Sequence, residues 1–133
     1  MKISDLKLDE AARLYSLGDD VSAKQIDCDL LKDDPKNIAF LNRYAVTCLN
    51  TGYYDLAIDA CQRSLELAPR LPDSYFICGL AYYHWGDIVN SEKSFLKSLE
   101  LNPSRRDIRD LWGKLKSQPY FSVSGGIQST HSP

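Results

Sequence analysis

Ser64-Leu65-Glu66-Leu67-Ala68-Pro69 and, 34 residues further on, Ser98-Leu99-Glu100-Leu101-Asn102-Pro103 share five of their six residues. The coincidence extends outward from both copies. Pro35 adds a third proline at the same interval, and Gly18, Gly52 and Gly86 keep it too. Apolar positions recur in the same register: Leu14, Cys48 and Tyr82; Ala23, Ala57 and Ser91; Leu31, Leu65 and Leu99. Ala11, Ala45 and Gly79 place a small residue at a matching point, where two helices can approach closely. A unit this short cannot bury its own apolar face, so it gains a core only by stacking on its neighbours.

Within each unit the spacing is helical. Leu41, Tyr44, Ala45 and Cys48 fall at i, i+3, i+4 and i+7, as do Tyr75, Cys78, Gly79 and Tyr82, which puts each quartet on one helix face. After Gly52 a second stripe follows, Ala57, Cys61, Ser64 and Leu65. Gly52 and Gly86 are placed for the left-handed residue that ends a helix, and Asp87 for the cap of the next one. Each unit therefore reads as helix, tight turn, helix, closed by its proline. Beyond Pro103, SRRDIRDLWGKLKS carries one apolar stripe, Ile108, Leu111, Trp112 and Leu115, and Ser104 with Asp107 three residues later predicts a capping box. This segment is expected to be a seventh helix closing the stack. The remainder, from Ser117, is rich in serine, glycine and proline, keeps no period and is expected to be a disordered tail.

Composition narrows the function classes. With 133 residues, 44% of them hydrophobic and 26% charged, the chain is expected to form one packed domain. A net charge of -2 offers no basic footprint for nucleic acid. The uncharged run Ser74 to Gly86 is 13 residues, whereas a membrane-spanning helix needs about 20. The opening MKISDLKLDE interleaves charge with apolar residues, unlike an export signal, so a cytoplasmic location is expected. Cys28, Cys48, Cys61 and Cys78 form no C-x-x-C pair, and four reduced thiols acting as small core residues are expected.

No phosphate loop, nucleophile elbow, zinc-protease or calcium-loop motif is present, and no metal or cofactor is expected. Of the two histidines, His84 lies among aromatics in YYHWGD and His131 in the tail, so a histidine-based catalytic arrangement is not expected. The pairs Asp19-Asp20 and Asp33-Asp34 fall at predicted turns, where aspartate caps helices and is solvated.

The period, with Leu41, Tyr44, Ala45, Gly52, Tyr54, Ala57, Leu65 and Pro69 in one copy and Tyr75, Gly79, Ala81 to Tyr83, Gly86, Phe95, Leu99 and Pro103 in the next, resembles the tetratricopeptide repeat family. The likeness implies an all-α right-handed superhelix of three helical hairpins and a capping helix. It covers repeats at about 4–37, 38–71 and 72–105, a closing helix at about 104–116, and a tail at 117–133. The first copy departs from the family pattern at Lys7, Glu10 and Asp27 and is expected to be either a polar cap, the preferred reading, or a loosely packed unit.

In this family the first helix of each hairpin lines a concave face. Carried over, that face holds Asp5, Leu8, Asp9, Ala12 and Tyr15; then Ala39, Asn42, Arg43, Val46, Leu49 and Asn50; then Asp73, Phe76, Ile77, Leu80, Tyr83 and His84. The expected partner is a protein or peptide segment with apolar or aromatic anchors, its backbone met by Asn42, Asn50 and Arg43. Members that grip acidic chaperone tails carry lysine, asparagine and arginine at five positions, which here are Leu8, Ala12, Arg43, Asp73 and Ile77, so that use is not expected. The implied function is a non-catalytic interaction adaptor. The alternatives are a chaperone for a secreted or assembly-prone client and, from another class, an enzyme or regulatory subunit of one. Residues 1–37 carry six basic and nine acidic side chains, and residues 104–116 five and two; opposite charge at the two ends offers weak head-to-tail self-association. Tyr120, Phe121 and Val123 make the tail a candidate ligand for a groove.

Overall fold

The computed structural model describes residues 3–117. The order is α1 (Ile3–Ser16), α2 (Asp20–Asp33), α3 (Ile38–Asn50), α4 (Tyr54–Leu67), α5 (Pro72–Trp85), α6 (Ile88–Leu101) and α7 (Arg106–Lys116). Three antiparallel hairpins, α1/α2, α3/α4 and α5/α6, stack into an all-α superhelix, with α7 on the end of α6. The expectations for the tail, including Tyr120, Phe121 and Val123, lie outside the described residues.

Each hairpin turns by the same device. Gly18, Gly52 and Gly86 have φ of 83°, 86° and 96°, where a side chain would be strained. The residue after each glycine donates its backbone N–H to the carbonyl five residues back: Asp19 to Leu14, Tyr53 to Cys48 and Asp87 to Tyr82, at 2.8, 2.8 and 2.9 Å. These carbonyls would otherwise be orphaned at the helix end. Asp19 and Asp87 then cap α2 and α6, accepting the N–H of Ser22 and Asn90, both at 3.2 Å. Asn37 caps α3 through the N–H of Phe40.

The small residues mark close approach. Ala11 and Ala45 are fully buried, and a methyl group on Gly79 would meet the Phe95 ring at 3.0 Å. The core runs along the stack as a chain of clusters: Leu30, Leu31, Phe40 and Leu41, then Ala45, Ala60, Cys61, Ile77 and Cys78, and finally Phe95, Ile108 and Trp112.

One repeat position joins successive hairpins in three chemically different ways. On α2, Asp27 is 1% exposed; its Oδ1 accepts from Arg43 Nε at 3.0 Å and its Oδ2 from the Thr47 hydroxyl at 2.8 Å. On α4, Cys61 forms a disulfide with Cys78 of α5. On α6, Phe95 stacks on Trp112 of α7, with centroids 5.2 Å apart.

Two expectations are corrected. Cys61 and Cys78 are not thiols, because antiparallel packing of α4 on α5 brings their Cα atoms to 5.9 Å despite 17 residues of separation; Cys28 and Cys48 remain free. Ser104 does not form a capping box. Its hydroxyl donates to Asn102 Oδ1, Arg105 is the N-cap, and Asp107 is held by the Arg105 guanidinium at 2.9 Å. Of the three residues that carried the expectation of a polar first hairpin, Asp27 faces inward, while Lys7 and Glu10 stay partly exposed in ion pairs with Asp33 and Arg13.

Candidate functional site

A cavity of about 680 Å³ opens between α1, α3 and α5. Its walls follow helical spacing: Ala12, Tyr15 and Ser16 on α1, Asn42, Arg43, Val46 and Thr47 on α3, Asp73, Phe76 and Ile77 on α5. Residues three and four apart share a face, so each helix presents one stripe. Packing sets the width. α3 lies against α5, whereas α1 is held mainly by α2, and this looser seam between α1 and α3 leaves the gap.

The floor is fixed by buried hydrogen bonds. The Ser74 hydroxyl donates to Asn42 Oδ1 at 3.0 Å and lies 2.8 Å from the Ser64 hydroxyl. Having given its proton to Asn42, Ser74 accepts from Ser64, so a chain running from α4 through α5 to α3 orients the Asn42 amide. Arg43 lies against the cavity with its Nε already committed to Asp27. Burial raises the Asp27 pKa, although Thr47 and Arg43 pull it down. Asp73, at the opposite wall, bonds Arg105 at 3.0 Å, and Arg105 also holds Asp107. Burial lifts the Tyr15 hydroxyl above the usual tyrosine range, and the Asp20 charge adds to the lift.

Of the residues expected on the concave face, Ala12, Tyr15, Asn42, Arg43, Val46, Asp73, Phe76 and Ile77 come together here. The others are placed elsewhere. Leu8 packs on Leu30, Leu31, Phe40 and Leu41 and lines a second hollow of about 450 Å³, with Asp5, Asp33 and Asp34 at its edge. Leu49 packs against Cys48, Ala57 and Ala81, and Asn50 is exposed at the end of α3. Leu80 packs on the Phe95, Ile108 and Trp112 cluster. His84 stacks on Tyr54 of α4 at 5.3 Å and meets Tyr83 edge-on; the crowding lowers the imidazole pKa below its ordinary value.

Sequence reasoning missed Ser16 and Thr47 in the wall, and the inward role of Asp27. A signal was available. The first two repeats depart together: Asp27 stands where Cys61 and Phe95 do, and Arg43 and Thr47 stand where Ile77 and Ala81 do. Paired departures of opposite charge in adjacent units point to contact. Among the described residues no cluster of three potential metal ligands occurs, and no helix is long and apolar enough to cross a membrane.

A family model described as tetratricopeptide repeat matches residues 38–71 and 72–105. The chain is 20% identical over 117 residues to the Hsp70-Hsp90 organising protein of Plasmodium falciparum, a match covering 83% of this chain and 46% of that one. It thus spans less than half the length of this relative. Among solved structures, the first TPR of Spaghetti (RPAP3), bound to the HSP90 peptide SRMEEVD, superposes with a TM-score of 0.78 at 16% identity, over 85% of this chain and 90% of that one. The Yersinia enterocolitica type III secretion chaperone SycD, in complex with a peptide of the translocator YopD, gives 0.74 at 17% identity, over 91% of each. Similarity at this level is similarity of fold.

Proposed function

The chain belongs to the tetratricopeptide repeat family, and from that membership we propose that it is a non-catalytic adaptor holding a peptide segment of a partner protein between α1, α3 and α5. The observation that carries this reading is the cavity itself, in which half-buried Val46 and Phe76 offer apolar surface beside the Asn42 amide. Apolar walls with a few placed polar groups are the usual make-up of a binding site, and an amide can both donate to and accept from a ligand backbone. Fold relatives holding peptides support the class of ligand.

The chemistry argues against an acidic tail as the ligand. Arg43 is engaged by Asp27, and at Asp73, where members that grip acidic tails carry a cation, this chain has a carboxylate already bonded to Arg105. A catalytic reading finds no support in His84, the one histidine among the described residues, because it sits against Tyr54 and Tyr83 outside the cavity. The cytoplasmic location belongs to this proposal and stands against the Cys61–Cys78 disulfide, since such bonds persist mainly in oxidising compartments. The second reading, a chaperone for a secreted or assembly-prone client, is favoured by the apolar wall and by the fold likeness to SycD with its peptide.

Peptide-library selection on the intact protein, followed by affinity measurement on Phe76→Ala, tests the groove. Truncating a buried aromatic anchor is expected to weaken the selected peptide by about 2 kcal/mol, roughly 30-fold. Val89→Ala, on the exposed side of α6, is expected to leave affinity unchanged. Full affinity in Phe76→Ala would reject the groove. Co-expression separates the two readings: a chaperone keeps an otherwise insoluble client in solution, whereas an adaptor is retained in a larger assembly.

A further inference from the structure

We infer that two copies of this chain associate through the outer side of α1, antiparallel about a twofold axis. Ile3, Leu6, Glu10, Arg13 and Leu17 recur at steps of three and four, which lines them up along one side of the helix. Leu17 lies just past α1, but its N–H still reaches the Arg13 carbonyl at 3.1 Å. In the other two hairpins the matching side is covered by the hairpin before. Phe40 and Thr47, 34 residues after Leu6 and Arg13, meet Leu30 and Asp27 of α2. Ser74 and Cys78, 34 residues after Phe40 and Tyr44, meet Ser64 and Cys61 of α4. On α1 no described residue covers this side: Ile3, Leu6 and Leu17 are 73%, 55% and 69% exposed.

The order of groups along the stripe says what fits over it. From Leu6 to Leu17 it reads Leu, Glu, Arg, Leu, so a covering helix must bring apolar groups to both ends, a cation to Glu10 and an anion to Arg13. The second helices inside the stack are built otherwise, since at the matching seams α2 offers Asp27 and α4 offers Cys61. The same stripe run in the opposite direction reads Leu, Arg, Glu, Leu and meets every requirement. About an axis at the level of Ala11 and Ala12, Leu6 stands opposite Leu17 of the second copy, and Glu10 opposite its Arg13. The ion pair closed within one helix, at 2.7 Å, is then exchanged across the axis. A twofold contact requires such self-complementarity. The other charges of α1 do not oppose it: Asp5 edges the second hollow, Lys7 is 4.0 Å from Asp33 of α2, and Asp9 stands four residues before Arg13, adding a carboxylate beside it. Ala12, Tyr15 and Ser16 line the cavity from another side of α1, so this pairing does not use the cavity wall.

Sedimentation velocity on the intact chain provides the test. One helix side per copy makes an interface at the small end of the specific range, about 1,200 Å² in total or less, so a reversible monomer–dimer step is expected between about 5 and about 500 µM. Glu10→Arg alone and Arg13→Glu alone each set like charges opposite one another and are expected to weaken the dimer at least about tenfold. Both side chains are exposed, at 45% and 59%, and circular dichroism is expected to show unchanged helix content. Mixing the two variants sets a basic stripe against an acidic one and is expected to recover a dimer. The double variant, Glu10→Arg with Arg13→Glu, is self-complementary again and is expected to dimerise as the natural chain does. A monomer at every concentration overturns the inference, as does a dimer that none of these substitutions weakens. Growth beyond a dimer overturns it in favour of head-to-tail association of the charged ends. Weakening in both single variants with no recovery on mixing overturns the pairing of Glu10 with Arg13.

Discussion

Asp27 shows how much one residue can hide in a repeat. It occupies the position of Cys61 and Phe95, is buried, and is satisfied by Arg43 and Thr47 from the next hairpin. The departure from pattern was legible in the sequence; its direction was not, because a one-dimensional register does not say which departing residues face each other. Removing one partner of a buried pair costs far more than the pair itself contributes, since the other charge is left without compensation. Arg43→Met is therefore expected to destabilise the protein by about 3 kcal/mol near neutral pH, read by urea denaturation. The loss should depend on pH. Burial already raises the Asp27 pKa above its ordinary value, so the folded state holds this proton more readily than the unfolded chain does. Its contribution to stability consequently improves as pH falls through the folded pKa, and worsens as pH rises through it. Without Arg43 the pKa climbs further. The penalty of Arg43→Met should then narrow between neutral pH and about 4, the unfolded carboxylate range. A penalty constant across that interval would contradict the role given to Asp27.

The helices themselves were the most legible level, because period, glycine and cap are all local signals. Gly18, Gly52 and Gly86 each mark a turn, and Asp87 caps α6 as its type and position imply. The start of α7 was misread for a physical reason. The Arg105 guanidinium, fixed on one side by Asp73, 32 residues earlier, holds Asp107 two residues on, and so takes the carboxylate that a local capping box would have used. The apolar stripe of α7 was nevertheless visible, and Ile108 and Trp112 are buried against Phe95. Trp112→Ala is expected to cost about 3 kcal/mol. Because a stacked array opens from its ends, hydrogen exchange should quicken first in α6 and α7, with α3 and α4 keeping their protection. Uniform loss of protection throughout the stack would count against this hierarchy.

At the scale of the molecule, the family likeness implied which face is concave, but not how far the hairpins splay. Leu80, one repeat after Val46, packs on Phe95, Ile108 and Trp112, whereas Val46 and Phe76, carried over from the family's concave face, reached the cavity. Leu8 did not, because α1 leans on α2 and Leu8 joins Leu30 and Phe40. The disulfide was likewise invisible in spacing, since only the packing of α4 on α5 brings Cys61 to Cys78. Reducing it should lower stability by about 3 kcal/mol, the value for a closed loop of roughly this length, and Cys61→Ser with Cys78→Ser should show the same loss without reductant. An unchanged melting temperature in both cases would mean that the bond constrains nothing. Such a bond also bears on location, as disulfides persist mainly in oxidising compartments. The three unlike joints finally limit how this architecture can be rearranged. Excising residues 35–68 would preserve phase and every turn signal, yet it would splice α2 onto α5 and set Asp27 opposite Ile77 and Ala81 in place of Arg43 and Thr47. The shortened chain is expected to lose cooperative thermal unfolding, and an Asp27→Cys change in that background should restore it by offering Cys78 a mate. The modules are thus coupled like differently gauged fittings, and their order along the chain cannot be shuffled without refitting the ends.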